Sequence, residues 1–208
     1  MTAYDEFAAY VGEINDLLCT INTLTWDART QMPPGGAETR GQQLATLSRL
    51  AQERFTAEQM GRLLNAAEVD VEGEDPDSYR VRAVRSAREA YAVARRIPTA
   101  LVGEIAVRKA TAQEAWIAAK ANNDFARFAP ELETMVRLNQ ELASAIGYTE
   151  HPYDAMVLQF EPGMTAARLQ ALFADLRGGI LPLLRRISEG GVQPDAEFLT
   201  RSYPADKQ

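Results

Sequence analysis

The chain has 208 residues, sets 22 Lys and Arg against 29 Asp and Glu for a formal charge of −7, and holds one histidine and one cysteine. That length allows one large domain or two small ones, and a hydrophobic content of 46% suffices for a core, so wholesale disorder is excluded. One cysteine excludes an internal disulfide framework, and the acidic balance opposes nucleic-acid binding as the main task. A catalytic zinc site usually takes about three protein ligands rich in His or Cys, which His151 and Cys19 alone cannot supply.

Helical periodicity dominates the chain. Phe7, Val11, Ile14, Leu18, Ile21 and Leu24 recur at spacings of three and four, which predicts a helix from about Thr2 to Trp26. Met32-Pro33-Pro34-Gly35-Gly36 breaks it. A second helix is expected from about Ala37 to Arg54, with Leu44, Leu47, Leu50 and Ala51 inward. Thr56 with Gln59 three residues on is a capping-box pattern and predicts the start of a short third helix. That helix should fade in the acidic stretch Glu68 to Asp75, expected as an exposed loop.

Asp75-Pro76 predicts a fourth helix, with Asp as N-cap and Pro at the first helical position, running to about Arg96. Ile97-Pro98 marks its end, because a residue before proline avoids the helical region. A long helix from Pro98 to about Ala121 follows, interrupted by Asn122-Asn123-Asp124. Pro130 then opens a helix carrying Leu132, Met135, Val136, Leu142 and Ile146 on one face, and Gly147 is placed to cap it. The stretch from His151 to Gly163 reads as a short helix between two breaks.

Thr165 is the expected N-cap of the last long helix. Its apolar stripe is Leu169, Leu172, Phe173, Leu176, Ile180, Leu183 and Ile187, with a kink predicted at Gly178, Gly179 and Pro182. Gly190-Gly191 ends it, and Pro194-Asp195 starts a final turn reaching Leu199. Sustained period-two alternation is absent, so strands should be absent or minor. No apolar run reaches the length of a membrane span and the N-terminus lacks a basic leader, so a soluble cytoplasmic protein without membrane or nucleic-acid partners is the expectation.

The residues that carry chemistry form no self-contained constellation. His-Glu-x-x-His, Cys-x-x-Cys, Gly-x-Gly-x-x-Gly, the phosphate-binding loop and Gly-x-Ser-x-Gly are all missing. His151 beside Pro152 reads as a helix-start residue rather than a general base. Cys19, close to the apolar stripe of the first helix, reads as a buried, inert thiol. Asp154 and Glu161 are seven apart, two turns on one face of the predicted short helix, a spacing open to acid–base chemistry but far more common as plain surface.

Arg80, Arg82, Arg85, Arg88, Arg95 and Arg96 make a basic helix, read as a solvated face or an ion-pair network rather than a phosphate site, with Arg85 and Glu89 spaced to pair. Trp26 and Trp116 read as core.

Four stretches, in order, resemble the carboxypeptidase Taq family of zinc metallocarboxypeptidases. The first runs from Trp26-Asp27 through Met32-Pro33-Pro34-Gly35-Gly36 and Thr39-Arg40-Gly41 to Leu47. The second runs from Ala115-Trp116 through Asp124-Phe125 to Glu133, and the third from Gly147-Tyr148 through His151-Pro152-Tyr153-Asp154 to Thr165. The fourth runs from Leu172-Phe173 to Leu183-Leu184.

The resemblance implies a larger all-α, zincin-like fold of long amphipathic helices, of which residues 1–208 would form the N-terminal region. It also implies removal of C-terminal residues from peptides with broad specificity, homodimers, and zinc or another divalent metal in the complete enzyme. The zinc motifs of that family lie beyond the matching stretches, so no catalytic, cofactor-binding or metal-ligating residue carries over to this chain. His151-Pro152-Tyr153 only superficially resembles the family's His-Pro-Phe motif, which belongs further downstream.

The chain alone is accordingly expected to be inactive, shaping a substrate groove in the whole enzyme. The alternative is a stand-alone helical interaction module derived from that family; an acid–base hydrolase using Asp154 and Glu161 is the third. Apolar faces left uncovered should drive self-association through the stripes of the first and last long helices.

Overall fold

The computed structural model describes residues 1–33, 35–191 and 195–204. Every regular element among them is a helix. Two compact units are present, Met1–Ala155 and Met156–Gln208.

The first unit begins with α1 (Ala3–Thr30). Thr2 accepts from the Asp5 N–H while the Asp5 carboxylate accepts from the Thr2 N–H, so the first turn is closed reciprocally. The helix outruns the expected end at Trp26 by one turn. Next come α2 (Ala37–Thr56) and α3 (Glu58–Asp70), separated only by Ala57 in an extended conformation.

The expected capping box at Thr56 does not form. Thr56 is the last residue of α2 and its hydroxyl donates back to the Gln52 carbonyl, leaving Ala57 as a cap without a side-chain acceptor. The acidic stretch is likewise not a loop throughout. Glu68 and Asp70 lie in the last turn of α3, and Val71 is buried.

α4 (Tyr79–Ala94) starts three residues later than Asp75-Pro76 predicts. The Asp75 side chain caps a turn by accepting from the Asp77 N–H, and Ser78 is the N-cap, accepting from Val81. α5 (Thr99–Ala121) starts after Pro98, and Asn123 turns the chain in the left-handed region at φ 51°. α6 (Phe125–Ile146) starts at Asp124, whose carboxylate accepts from the Arg127 N–H. Pro130 therefore sits inside α6 and does not open it: a capping aspartate set the start, and proline's fixed φ is compatible with helix. Gly147, at φ 86°, closes α6 in a conformation that glycine adopts without strain.

Two layers of packing hold this unit. Phe7, Tyr10 and Ile14 of α1 meet Met60, Leu64 and Ala67 of α3, with Val84 and Tyr91 of α4 closing the cluster. Met60 and Leu64 are fully buried, each contributing about 1.5–3 kcal/mol by removal from water. The other layer joins α2 to α5 through small residues. A Cβ built on Gly41 would lie 3.4 Å from the Val107 Cα and the Ala110 Cβ, so the two backbones approach closely. Leu138 and Ile146 of α6 are fully buried, whereas Leu132 and Val136 of the predicted stripe are exposed.

Of the first-helix stripe expected to drive self-association, Phe7 and Ile14 belong to this core, while Leu18 is 46% exposed. α7 (Pro152–Val157) follows, crossing into the second unit. That unit consists mainly of α8 (Ala166–Glu189), capped by Thr165 as predicted, and the short α9 (Glu197–Thr200). The expected start of the final turn at Pro194 lies outside the described residues. α8 buries no residue. No helix among the described residues is long and apolar enough to cross a membrane.

Candidate functional site

The proline- and glycine-rich break between α1 and α2 is a tight corner. Gln31 and Met32 both donate to the Asp27 carbonyl, at 2.8 and 3.0 Å, ending α1. Gly36 then donates to the Pro33 carbonyl at 3.1 Å. A Cβ on Gly36 would lie 2.9 Å from the Met32 Cγ, so the corner closes on a glycine. Arg40, from the first turns of α2, locks it: the guanidinium sits 2.6 Å from the Asp27 carboxylate, donates to the Leu24 carbonyl at 2.8 Å and to Gln43 at 2.9 Å. Trp26, expected as core, is 61% exposed beside this corner, because it lies about 120° around α1 from the core position Ile14.

A second polar cluster clasps α3 to α4. Arg88 holds Glu68 with both carboxylate oxygens, at 2.7 and 2.8 Å, and reaches Asn65 at 2.6 Å. The hydrogen bond from Arg88 holds the Glu68 carboxyl below its ordinary pKa and raises that of Arg88 in turn. Arg80 bridges Asp70, at 3.0 Å, and Glu74, and its guanidinium lies 4.6 Å over the Tyr4 ring. Asp70 also accepts from the Tyr4 N–H, the main reason its carboxyl lies below the usual range.

The basic helix is thus divided among different tasks. Arg80 and Arg88 are network members, and Arg95 stacks over Tyr91 at 5.6 Å. Arg96 donates at 2.9 Å to the Ile146 carbonyl at the end of α6. Arg82 and Arg85 face an open, shallow groove with Tyr79 and Ser86. The expected Arg85–Glu89 ion pair is not formed; both side chains are in water, where such a pair is worth only a few tenths of a kcal/mol against side-chain entropy.

The remaining candidates are scattered. The His151 Nδ1 accepts from the Tyr153 N–H at 3.0 Å, and the His151 N–H donates to Asp154 at 3.3 Å, a local arrangement that starts α7. Glu161 does not share a helix with Asp154, because α7 ends at Val157 and the chain turns. Cys19 is exposed rather than buried: it lies five residues past Ile14, about 140° around α1 from that core position. Trp116, also expected as core, is 41% exposed, with the Lys120 ammonium 4.9 Å from its ring. One oxygen of Glu131 is buried without a partner.

Among the described residues, no group of three or more His, Cys, Asp or Glu side chains could hold a metal ion. The pairings that matter most, Arg40 with Asp27 and Arg88 with Glu68, link residues 13 and 20 apart, beyond any helical periodicity.

The geometry defines an all-α protein whose polar clusters fasten helices to one another and whose last long helix presents an uncovered apolar face. The chain belongs to the carboxypeptidase Taq (M32) metallopeptidase family, whose profile matches residues 6–208. It is 33% identical over 210 residues to carboxypeptidase 1 of Bacillus subtilis, covering 98% of this chain and 42% of that protein. It is 37% identical over 216 residues to thermostable carboxypeptidase 1 of Thermus thermophilus, covering 99% and 42%.

The crystal structure of BsuCP superposes with a TM-score of 0.89 at 32% identity, over 100% of this chain and 41% of that one. The Pyrococcus furiosus carboxypeptidase in its apo-Mg structure gives 0.74 at 28% identity, over 92% and 38%. The chain therefore spans about two-fifths of the length of the relatives it matches.

Proposed function

We propose that this chain is the N-terminal helical region of a metallocarboxypeptidase that releases C-terminal residues from peptides with broad specificity, and that the 208 residues alone are catalytically inactive. The observation that carries the reading is a proportion. Almost the whole chain matches the family, yet it corresponds to only about two-fifths of each full-length carboxypeptidase.

In the family the resemblance implies two histidines and a glutamate holding zinc, whereas this sequence has one histidine. The residues present do not fit the metal, and no hydrolytic step is assigned to them. Bound zinc would supply a polarised carbonyl and an activated water in the whole enzyme. The part assigned to these helices is structural: walls that shape access to a peptide groove. Cytoplasmic residence and homodimers of the complete enzyme belong to the same reading.

The test is elemental analysis of the purified 208-residue chain, with an assay on N-blocked dipeptides. Substoichiometric zinc and no released amino acid are expected. One tightly bound zinc per chain, with hydrolysis abolished by a chelator, would sink the proposal.

A further inference from the structure

His151 caps α7 with its ring. Pro152 occupies the first helical position and has no N–H to satisfy. The Asp154 N–H donates to the His151 carbonyl at 2.9 Å and closes the first turn. That leaves the Tyr153 N–H, which donates to the His151 Nδ1 at 3.0 Å. The His151 N–H in turn donates to the Asp154 carboxylate at 3.3 Å. The arrangement is a capping box in which an imidazole stands where a serine or threonine hydroxyl usually does.

That exchange of groups has a chemical consequence. A backbone N–H can only donate, so the Nδ1 carries a lone pair and the ring is neutral, with its proton on Nε2. A protonated imidazole is a donor at both nitrogens, and its Nδ1–H would then face the Tyr153 N–H. A hydroxyl cap never meets this difficulty. The positive end of the helix also opposes a cation at this position. At six residues, α7 is too short to persist on propensity alone, so its cap counts for more than it would in a long helix. The helix carries Ala155 and Val157, only 1% and 8% exposed, and the chain passes along it from the first unit into the second.

We propose that α7 is a pH-sensitive element: the neutral His151 ring holds its first turn closed, and protonation of that ring opens it.

The charged groups around this turn act in both directions. Glu150 precedes His151, Asp154 follows it on α7, and Glu161 lies in the turn beyond; all three attract an imidazolium. Arg96, just past α4, donates to the Ile146 carbonyl five residues ahead of His151, and Arg168 of α8 donates to the Gly163 carbonyl; both oppose a further positive charge. Neither pull restores the lone pair that the Tyr153 N–H uses, because an imidazolium has none at Nδ1.

The test is NMR of the isotope-labelled 208-residue chain between about pH 8 and about pH 5.5, above the ordinary range of carboxyl titration. His151 is the one histidine of the sequence, so its ring protons report its protonation directly. The Tyr153 amide proton should shift with the same midpoint as the ring. Hydrogen-exchange protection of the Ala155 and Val157 amides, taken relative to an unstructured chain at each pH, should fall about threefold or more across that midpoint, as the loss of an N-cap gives. His151→Asn keeps a side-chain acceptor that does not titrate, and should hold the protection level over the whole range. His151→Ala should show the low level at every pH.

A Tyr153 amide indifferent to the ring's titration overturns the proposal. So does an asparagine variant that loses protection as the natural chain does, since the loss then comes from another group. An alanine variant as well protected at pH 8 as the natural chain also overturns it, because the ring would then be holding nothing.

Discussion

Arg40 and Asp27 meet at 2.6 Å across the break between α1 and α2, and the same guanidinium reaches the Leu24 carbonyl in the last turns of α1. The arginine side chain is only 17% exposed, so the pair is more than a surface contact. It fixes the direction in which α2 leaves a corner made of Pro and Gly, and so the way α2 is presented to α5.

Replacing Arg40 by alanine is expected to cost about 1–3 kcal/mol, since Asp27 and the Leu24 carbonyl lose a charged donor at a largely covered site. Arg40→Lys should recover less than half of that, because an ammonium lacks the planar fork that serves Asp27, Leu24 and Gln43 together. Urea unfolding followed by circular dichroism measures both. A wild-type midpoint for the lysine variant would contradict the account.

Two glycines in helices should answer alanine oppositely. A Cβ at Gly61 would stand 2.7 Å from the Tyr91 hydroxyl, whose ring is buried in the core. The helix-propensity gain of about 1 kcal/mol is then outweighed by overpacking, and a net loss of about 1–2 kcal/mol is expected. At Gly41 the new Cβ would find ordinary contacts of 3.4 Å, so Gly41→Ala should be neutral or mildly stabilising. Thermal melts of the two variants side by side decide this.

Stability should fall in acid through the α3–α4 clasp. The folded Glu68 carboxyl lies below its ordinary value of 4.5, held there by Arg88, and Asp70 lies below 3.8, held by the Tyr4 N–H. Carboxyls with lowered folded values stabilise the fold above the unfolded pKa, and that contribution is lost as pH falls through the folded value. The decline should therefore begin near pH 4.5 and deepen below it. Because Glu68 and Arg88 are partly exposed, their share is less than about 1 kcal/mol. Glu68→Gln should flatten this decline in urea midpoints taken from about pH 6 down to about pH 3; an unchanged slope would refute the assignment.

Pro130→Ala should stabilise α6. The proline sits within the helix and denies the Ala126 carbonyl its usual donor. Restoring that N–H, less the entropy that proline removes from the unfolded chain, is expected to gain about 1–2 kcal/mol, visible as a higher Tm.

The helices themselves were legible because apolar residues at spacings of three and four gather on one face only when the chain is helical. Gly147, Pro98 and Thr165 marked boundaries where local geometry alone decides. Thr56, Asp75 and Pro130 misled because each had a nearer competitor. The Thr56 hydroxyl found the Gln52 carbonyl, the Asp75 carboxylate made a turn ahead of Ser78, and Asp124 capped α6 before Pro130 was reached. The family was readable from four ordered stretches, and the match over residues 6–208 agrees.

By itself, then, the sequence determined an all-helical chain and its family, since both reside in local patterns and in the order of short motifs. Tertiary structure decided which apolar faces are spent. Phe7 and Ile14 are consumed by α3 and α4, while Leu176 and Ile180 are exposed, though all four sit in stripes of the same three–four spacing. It also decided that Cys19, Trp26 and Trp116 lie outside the core, and that Arg88 finds Glu68 twenty residues away. Periodicity tells a helix that it has an apolar face; only the packing of distant segments determines whether anything within the chain covers it.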